Sequence, residues 1–218
     1  MALAIFDLDN TLLGGDSDYL WGQYLVELGV VDGVFYAREN QRYYDAYKAG
    51  TLDIQHFLEF ALRPLVGVPQ EQLYTWRKRY LDQKIRPIML PKALALLDRH
   101  RQAGDILLII TATNRFVTQP IAEWLGVEHL IATDPELVDG FYTGKVAGIP
   151  CFREGKVLRL QEWLQGRAMS LEKSWFYSDS HNDLPLLLKV ANPVAVDPDD
   201  ELRRYAEHQR WPVISLRN

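Results

Sequence analysis

Two aspartates, Asp7 and Asp9, follow directly on the apolar run Leu3 to Phe6, and Thr11 comes two residues later. Carboxylates set that close repel each other unless a cation or a shared proton lies between them. The pair therefore asks for a metal ion and offers a nucleophile. Further on, Thr111 follows the apolar run Ile106–Ile110, and Lys156 opens a helical pattern. Asp179 comes just after Ser174-Trp175-Phe176-Tyr177, with Asp183 four residues beyond. Singly, each has an ordinary use as a helix cap, a turn former or a solvated lysine. In series, with three of them at the ends of apolar runs, they point to one site.

The elements that must position these residues follow from the apolar periodicity. Leu3–Phe6 fits a strand buried on both faces. Residues 14–86 read as four helices rich in aromatics, with Asp16 or Ser17 capping the first and Asp53 near the start of the third. From Pro91 onward, strands alternate with helices. Strands are predicted at 106–110, 129–132, 174–177, 193–196 and 212–215, and helices at 91–103, 116–125, 155–165, 184–189 and 199–208. Asp139-Gly140 marks a hairpin turn within 138–148. This pattern predicts a doubly wound, mostly parallel Rossmann-like α/β sheet. Residues 1–13 and 87–218 form the expected core, and 14–86 an inserted helical domain. In such sheets ligands bind beyond the carboxyl ends of the strands, at a topological switch point. The candidate residues would converge there.

Composition narrows the possibilities. The 218 residues are 48% hydrophobic and 24% charged, which suits a folded globular chain and excludes extensive disorder. A net charge of −5 argues against a nucleic-acid surface. The single cysteine, Cys151, allows no internal disulfide and reads as a small buried residue. No apolar stretch approaches the ~20 residues of a membrane span, and no signal peptide is visible. The expected setting is the cytoplasm, and the expected partner a small molecule, with neither nucleic acid nor membrane. Oligomeric state is left open.

Asp-Leu-Asp-Asn-Thr-Leu, residues 7–12, resembles the first motif of the haloacid-dehalogenase-like phosphatases. Thr111 and Lys156 stand where that family has its second and third motifs. Tyr-Ser-Asp-Ser-His-Asn-Asp-Leu-Pro, residues 177–185, is similar to the fourth motif of the phosphoserine-phosphatase branch, with Ser178 where glycine is usual. Lys145 also follows a glycine, but it falls in the hairpin, so Lys156 is preferred. The resemblance covers the chain and implies that 14–86 is a C1 cap. It further implies Mg²⁺ held by Asp7, Asp179 and the backbone carbonyl of Asp9, with Asp183 in support directly or through water. Asp7 would attack phosphorus, and Asp9 would protonate the leaving alcohol and later deprotonate water. Thr111 and Lys156 would hold the phosphoryl group, with backbone N–H groups from Asn10, Ala112 and Ser180.

Other functions share parts of this layout. A receiver domain of a signalling system would lack the 14–86 insertion. A dehalogenase would lack the second aspartate of the pair, so Asp9 favours phosphate chemistry. A non-catalytic binder would be missing a catalytic position, and none is missing. For the leaving group, Asp16 and Asp18 lie near Trp21 and Tyr24, and Arg42 near Tyr36, Arg38, Tyr43, Tyr44 and Tyr47. Phosphoserine needs a cation for its carboxylate, for which Arg42 is the candidate, and an acid for its amine, for which Asp16 is. Histidinol phosphate needs acids and flat aromatic surfaces. The chain resembles bacterial proteins of this branch linked to histidinol-phosphate hydrolysis, so histidinol phosphate is the favoured substrate and phosphoserine the alternative.

Overall fold

A computed structural model describes residues 2–217; the outermost limits expected for the core, 1 and 218, lie outside it. Its strands are β1 (Leu3–Phe6), β2 (Ile106–Asn114), β3 (His129–Thr133), β4 (Pro135–Val138), β5 (Phe141–Val146), β6 (Trp175–Ser178), β7 (Asn192–Val196) and β8 (Val213–Ile214). Six of them form one sheet in the order β3-β2-β1-β6-β7-β8, with every pairing parallel. β2 and β6 lie on opposite sides of β1, so the carboxyl ends of these three strands bound the crevice of a topological switch point.

The sheet is buried on both faces because its strands alternate two apolar sets. Ala4, Phe6, Leu107 and Ile109 enter one core, and Leu3, Ile5, Leu108 and Ile110 the other. The first core is covered by α5 (Pro91–Gln102) and α6 (Arg115–Trp124). The second is covered by α7 (Glu154–Leu164), α8 (Leu184–Leu187) and α9 (Asp200–Gln209).

Between β1 and β2 the chain forms α1 (Ser17–Glu27), α2 (Gly33–Lys48), α3 (Ile54–Leu62) and α4 (Gln70–Tyr80). The first three start at Asp16, Asp32 and Asp53, whose carboxylates accept from the exposed amides of the first turn. This segment enters and leaves side by side: Leu13 pairs antiparallel with Met89, and the Gly14 amide donates to the Ile88 carbonyl at 2.7 Å. Trp21 packs edge-on against Tyr80 and Phe116 at 5.1 and 5.6 Å. Tyr24 also lies in this core, and Tyr36 stacks on Phe60 at 4.4 Å. Trp21, Tyr24 and Tyr36 are therefore packing residues and do not face a ligand.

Three local expectations change. β2 runs to Asn114, past the apolar run, with its register to β3 shifting between Ile110 and Asn114, so Thr111 lies within the strand. The fourth predicted helix ends its regular winding at Tyr80 and continues as a π turn, Leu81–Ile85, then a 3₁₀ turn, Arg86–Ile88. The hairpin begins earlier than Val138, at Pro135. Its turn is the expected one, with Asp139 and Gly140 at φ 50° and 82°, as a primed turn requires. The hairpin reaches the helical segment through Gln70 Nε2, which donates to the Gly140 carbonyl at 2.9 Å. Lys145 is exposed on it, away from the sheet crevice. No helix among the described residues is long and apolar enough to cross a membrane.

Candidate active site

Asp7 is the first residue beyond β1, and its amide donates to the Tyr177 carbonyl at 2.9 Å, which fixes it against β6. Lys156 Nζ donates to Asp7 Oδ1 at 2.7 Å and lies 2.7 and 2.8 Å from the two oxygens of Asp183. All three residues are buried, at 5% exposure or less. The first turn of α7 delivers Lys156 there because it packs tightly on the preceding loop. A Cβ at Gly155 would stand 2.0 Å from the Pro150 carbonyl oxygen, so glycine is required. Burial disfavours the ammonium of Lys156, but Asp183 and Asp7 outweigh it and hold its pKa above the ordinary lysine value. Burial raises the Asp7 carboxyl to about 7, with Lys156 opposing and Asp183 adding to the rise.

Asp179 follows β6 and meets Asp7 through Thr11. Thr11 Oγ1 donates to Asp179 Oδ1 at 3.0 Å, lies 3.5 Å from Asp7 Oδ2 and accepts from the Asp179 amide at 3.1 Å. Burial and then repulsion from Asp7 push the Asp179 carboxyl well above the carboxylate range. Asp9 turns away from this pair. Its Oδ1 accepts from the Ser17 amide at 2.7 Å and its Oδ2 from Thr113 Oγ1 at 2.8 Å. Asp9 therefore leaves its backbone carbonyl, not its carboxylate, for a cation. Asp183 accepts from Lys156 and, at 2.7 Å, from Ser178 Oγ, beside the Asp7 carboxylate that shares the same ammonium. Among the described residues no cluster of three or more His, Cys, Asp or Glu side chains is gathered as a ligand set. Two carboxylates and a carbonyl nevertheless suit Mg²⁺, which is commonly held by one or two carboxylates and keeps several waters.

Above these residues opens a pocket. Asp7, Asp9, Thr111, Ala112 and Thr113 form its floor. Asp16, Asp18, Tyr19, Tyr43, Tyr44, Tyr47, Phe57 and Phe152 are among its walls. Asn10 lines it too, but its amide donates to the Gly15 carbonyl at 3.0 Å and so is already engaged in the loop. The Ser180 amide likewise donates to Ser178 Oγ at 3.2 Å. Arg42 is a clear correction. It lies outside the pocket, exposed, paired with Glu39 at 2.8 Å and stacked over the Tyr43 ring at 4.3 Å. Arg38 also pairs with Glu39 on that outer side. A larger groove lies among Val31, Phe35, Tyr36, Phe60 and Arg63, and contains none of the predicted catalytic residues.

Thr113 and Asn114 were not singled out from the sequence, and Thr11 and Ser178 were named there without a role. Thr11, Thr113 and Ser178 orient the carboxylates of Asp179, Asp9 and Asp183, and Asn114 Nδ2 donates to Asp18 Oδ1 at 3.1 Å. Their one signal was a cluster of hydroxyl and amide side chains at the carboxyl ends of strands. Ser178, at a position where glycine is usual, has a use here as a donor to Asp183.

A model of the haloacid dehalogenase-like hydrolase family matches residues 4–188. A histidinol-phosphatase from Neisseria meningitidis is 43% identical, the match covering 99% of each chain. A phosphoserine phosphatase from Streptococcus thermophilus is 25% identical, over 95% of this chain and 89% of that one. Among solved structures, a protein of unknown function from Bordetella pertussis superposes with a TM-score of 0.92 at 44% identity, covering 99% of this chain and 98% of that one. A phosphoserine phosphatase trapped as a phospho-aspartyl analogue superposes with a TM-score of 0.73 at 18% identity, covering 100% and 94%, a likeness of fold. With the family matched across most of its length and relatives named as phosphatases matched end to end, the chain belongs to the phosphatases of the haloacid dehalogenase-like hydrolases.

Proposed function

We propose that the chain is a Mg²⁺-dependent phosphomonoesterase that works through an aspartyl-phosphate on Asp7 and hydrolyses histidinol phosphate. The observation that carries the substrate is the lining of the pocket. Asp16 and Asp18 face it with six aromatic side chains in the walls nearby, and none of its lining residues is Lys, Arg or His. Burial pushes the carboxyls of Asp16 and Asp18 up, and repulsion from Asp16 raises Asp18 further. Such a pair is stabilised by a cation entering between the aromatic faces. An amine and an imidazole on an alkyl phosphate supply that charge. The carboxylate of phosphoserine would meet acids and no cation, so the lining argues against it. The name of the Neisseria meningitidis relative supports the same choice.

In this reading residues 14–86 act as a cap that covers the leaving group. Asp7 Oδ2, the oxygen not held by Lys156, forms the bond to phosphorus as the bond from phosphorus to the alkyl oxygen breaks. Asp9 gives its proton to that departing oxygen. It then takes a proton from water, whose oxygen attacks phosphorus and returns Asp7 as a carboxylate with inorganic phosphate released. Thr111 and Lys156 bind the phosphoryl oxygens. Asp7, Asp179 and the Asp9 carbonyl would hold Mg²⁺, which would offset the charge that otherwise repels the nucleophile.

Two measurements test this. A panel of histidinol phosphate, phosphoserine and p-nitrophenyl phosphate should give the highest kcat/KM on histidinol phosphate. Asp18→Asn should lower that value on the order of tenfold or more, the worth of one charge-assisted hydrogen bond, while sparing the aryl ester. A preference for phosphoserine, untouched by Asp18→Asn, would reject the substrate. For the metal, chelation should abolish turnover and added Mg²⁺ restore it, and Asp179→Asn should raise the Mg²⁺ concentration needed for half activity. Full activity after exhaustive chelation would reject the cation site.

A further inference from the structure

Arg153 sits at the start of α7, three residues before Lys156, and the mechanism gives it no part. Its backbone lies at φ 51° and ψ −120°, a region that side-chain-bearing residues rarely adopt. Its guanidinium crosses to the helical segment. Nη2 donates to the Gly50 carbonyl at 2.5 Å, and Nε donates to Asn182 Oδ1 at 2.9 Å. Asn182, buried between Asp179 and Asp183 in the sequence, donates from Nδ2 to the Tyr47 carbonyl at 3.1 Å. One guanidinium thus joins the turn after α2, the turn carrying Asp179 and Asp183, and the helix carrying Lys156.

The approach at this seam is close. Gly50 has φ 68°, and a Cβ there would lie 2.8 Å from His181 Nε2 and 3.3 Å from Arg153 Nη2. Tyr47 and Phe152 face each other across it at 6.2 Å, and both line the pocket. We propose that Arg153 is a positioning residue that latches the turn at residues 47–50 onto the phosphoryl end of the site, so that one side chain holds both the closed cap and the seating of Lys156 and Asp183. If the turn withdraws, Arg153 loses the Gly50 carbonyl and Asn182 loses the Tyr47 carbonyl. The strained start of α7 then keeps fewer of the contacts that over-determine it. Closure over a substrate and assembly of the phosphoryl site become one event. This rests on the phosphatase reading of the site but not on which amine the pocket takes.

Arg153→Gly tests it, because glycine adopts the backbone conformation without strain while the side chain, with its guanidinium and its contact over the Phe152 ring, is lost. The expected result is a loss of kcat on the order of ten- to a hundredfold, the effect of losing a charge-assisted hydrogen bond on a two-state equilibrium. KM should change much less. The loss should be alike for p-nitrophenyl phosphate and histidinol phosphate, because the latch acts on the phosphoryl side; a leaving-group contact would affect histidinol phosphate alone. Amide hydrogen exchange should quicken at residues 47–51 while β1 and β2 stay protected. Gly50→Ala, which strains the turn at φ 68° and presses on the tips of His181 and Arg153 with the guanidinium intact, should reproduce the kcat loss and answers the question if Arg153→Gly fails to fold. Wild-type kcat in either folded variant, or a kcat loss with unchanged exchange at 47–51, overturns the proposal.

Discussion

Asp7→Asn is expected to leave a folded protein with no measurable turnover of any phosphate ester. Removing the nucleophile of a site whose groups act as a unit costs on the order of 10⁶-fold in kcat, which no other single change here should match. The fold should survive for an electrostatic reason. Deleting one partner of a buried ion pair costs ~3–5 kcal/mol when it strands the other charge. Here Lys156 is not stranded, because both oxygens of Asp183 remain within 2.8 Å of its ammonium. Asparagine also removes a carboxylate whose charged form burial already disfavours. Thermal melting and steady-state assay of the purified variant check both halves. Retained wild-type turnover would reject the covalent mechanism, and collapse of the fold would mean that the Lys156–Asp183 pair cannot stand alone.

The second largest effect is expected at Asp9, and it depends on the leaving group. Burial first and repulsion from Asp16 next raise the Asp9 carboxyl to about 7, against the lowering bonds from Ser17 and Thr113. A group poised there is partly protonated at neutral pH, so it can give a proton to an alkoxide and take one back from water. Asp9→Asn should therefore cost ~10²–10⁴-fold with an alkyl phosphate such as histidinol phosphate. The side-chain oxygen of asparagine can still accept from the Ser17 amide, so the loop geometry is kept. p-Nitrophenyl phosphate leaves without a proton, and its phosphorylation of Asp7 should slow far less. Breakdown of the aspartyl-phosphate should slow with either ester, because the same carboxylate activates the water. Rapid mixing should then show a burst of nitrophenol followed by slow turnover. Equal losses for both esters in single-turnover phosphorylation would make Asp9 an orienting residue and remove its acid and base roles.

Local chemistry made much of this legible in the sequence. Leu3–Phe6 fitted a strand buried on both faces, which placed the carboxylates beyond it at a strand end. Asp16 and Asp53 capped helices because a side-chain acceptor next to bare amides has no better use. Asp139-Gly140 turned a hairpin because that pair accepts positive φ. Lys156 was separable from Lys145 because one opened a helix ahead of a strand-end aspartate and the other lay in a hairpin.

What the sequence could not decide was which way polar side chains face once elements are packed. α2 carries Tyr36, Arg42, Tyr43, Tyr44 and Tyr47 around more than one side, so its periodicity names no inner face. Packing against α1 and α3 buries Tyr36, turns Tyr43, Tyr44 and Tyr47 to the pocket and leaves Arg42 with Glu39 outside. The same holds for Asp183, which the approach of α7 pairs with Lys156, and for Thr11, which joins Asp7 to Asp179 only because β1 and β6 are neighbours. Sequence alone determined which residues have the chemistry and on which elements they ride, because propensity and capping act within a few residues. Tertiary structure alone decided their partners, because hydrogen bonds and ion pairs between distant segments exist only after the sheet has set their distance.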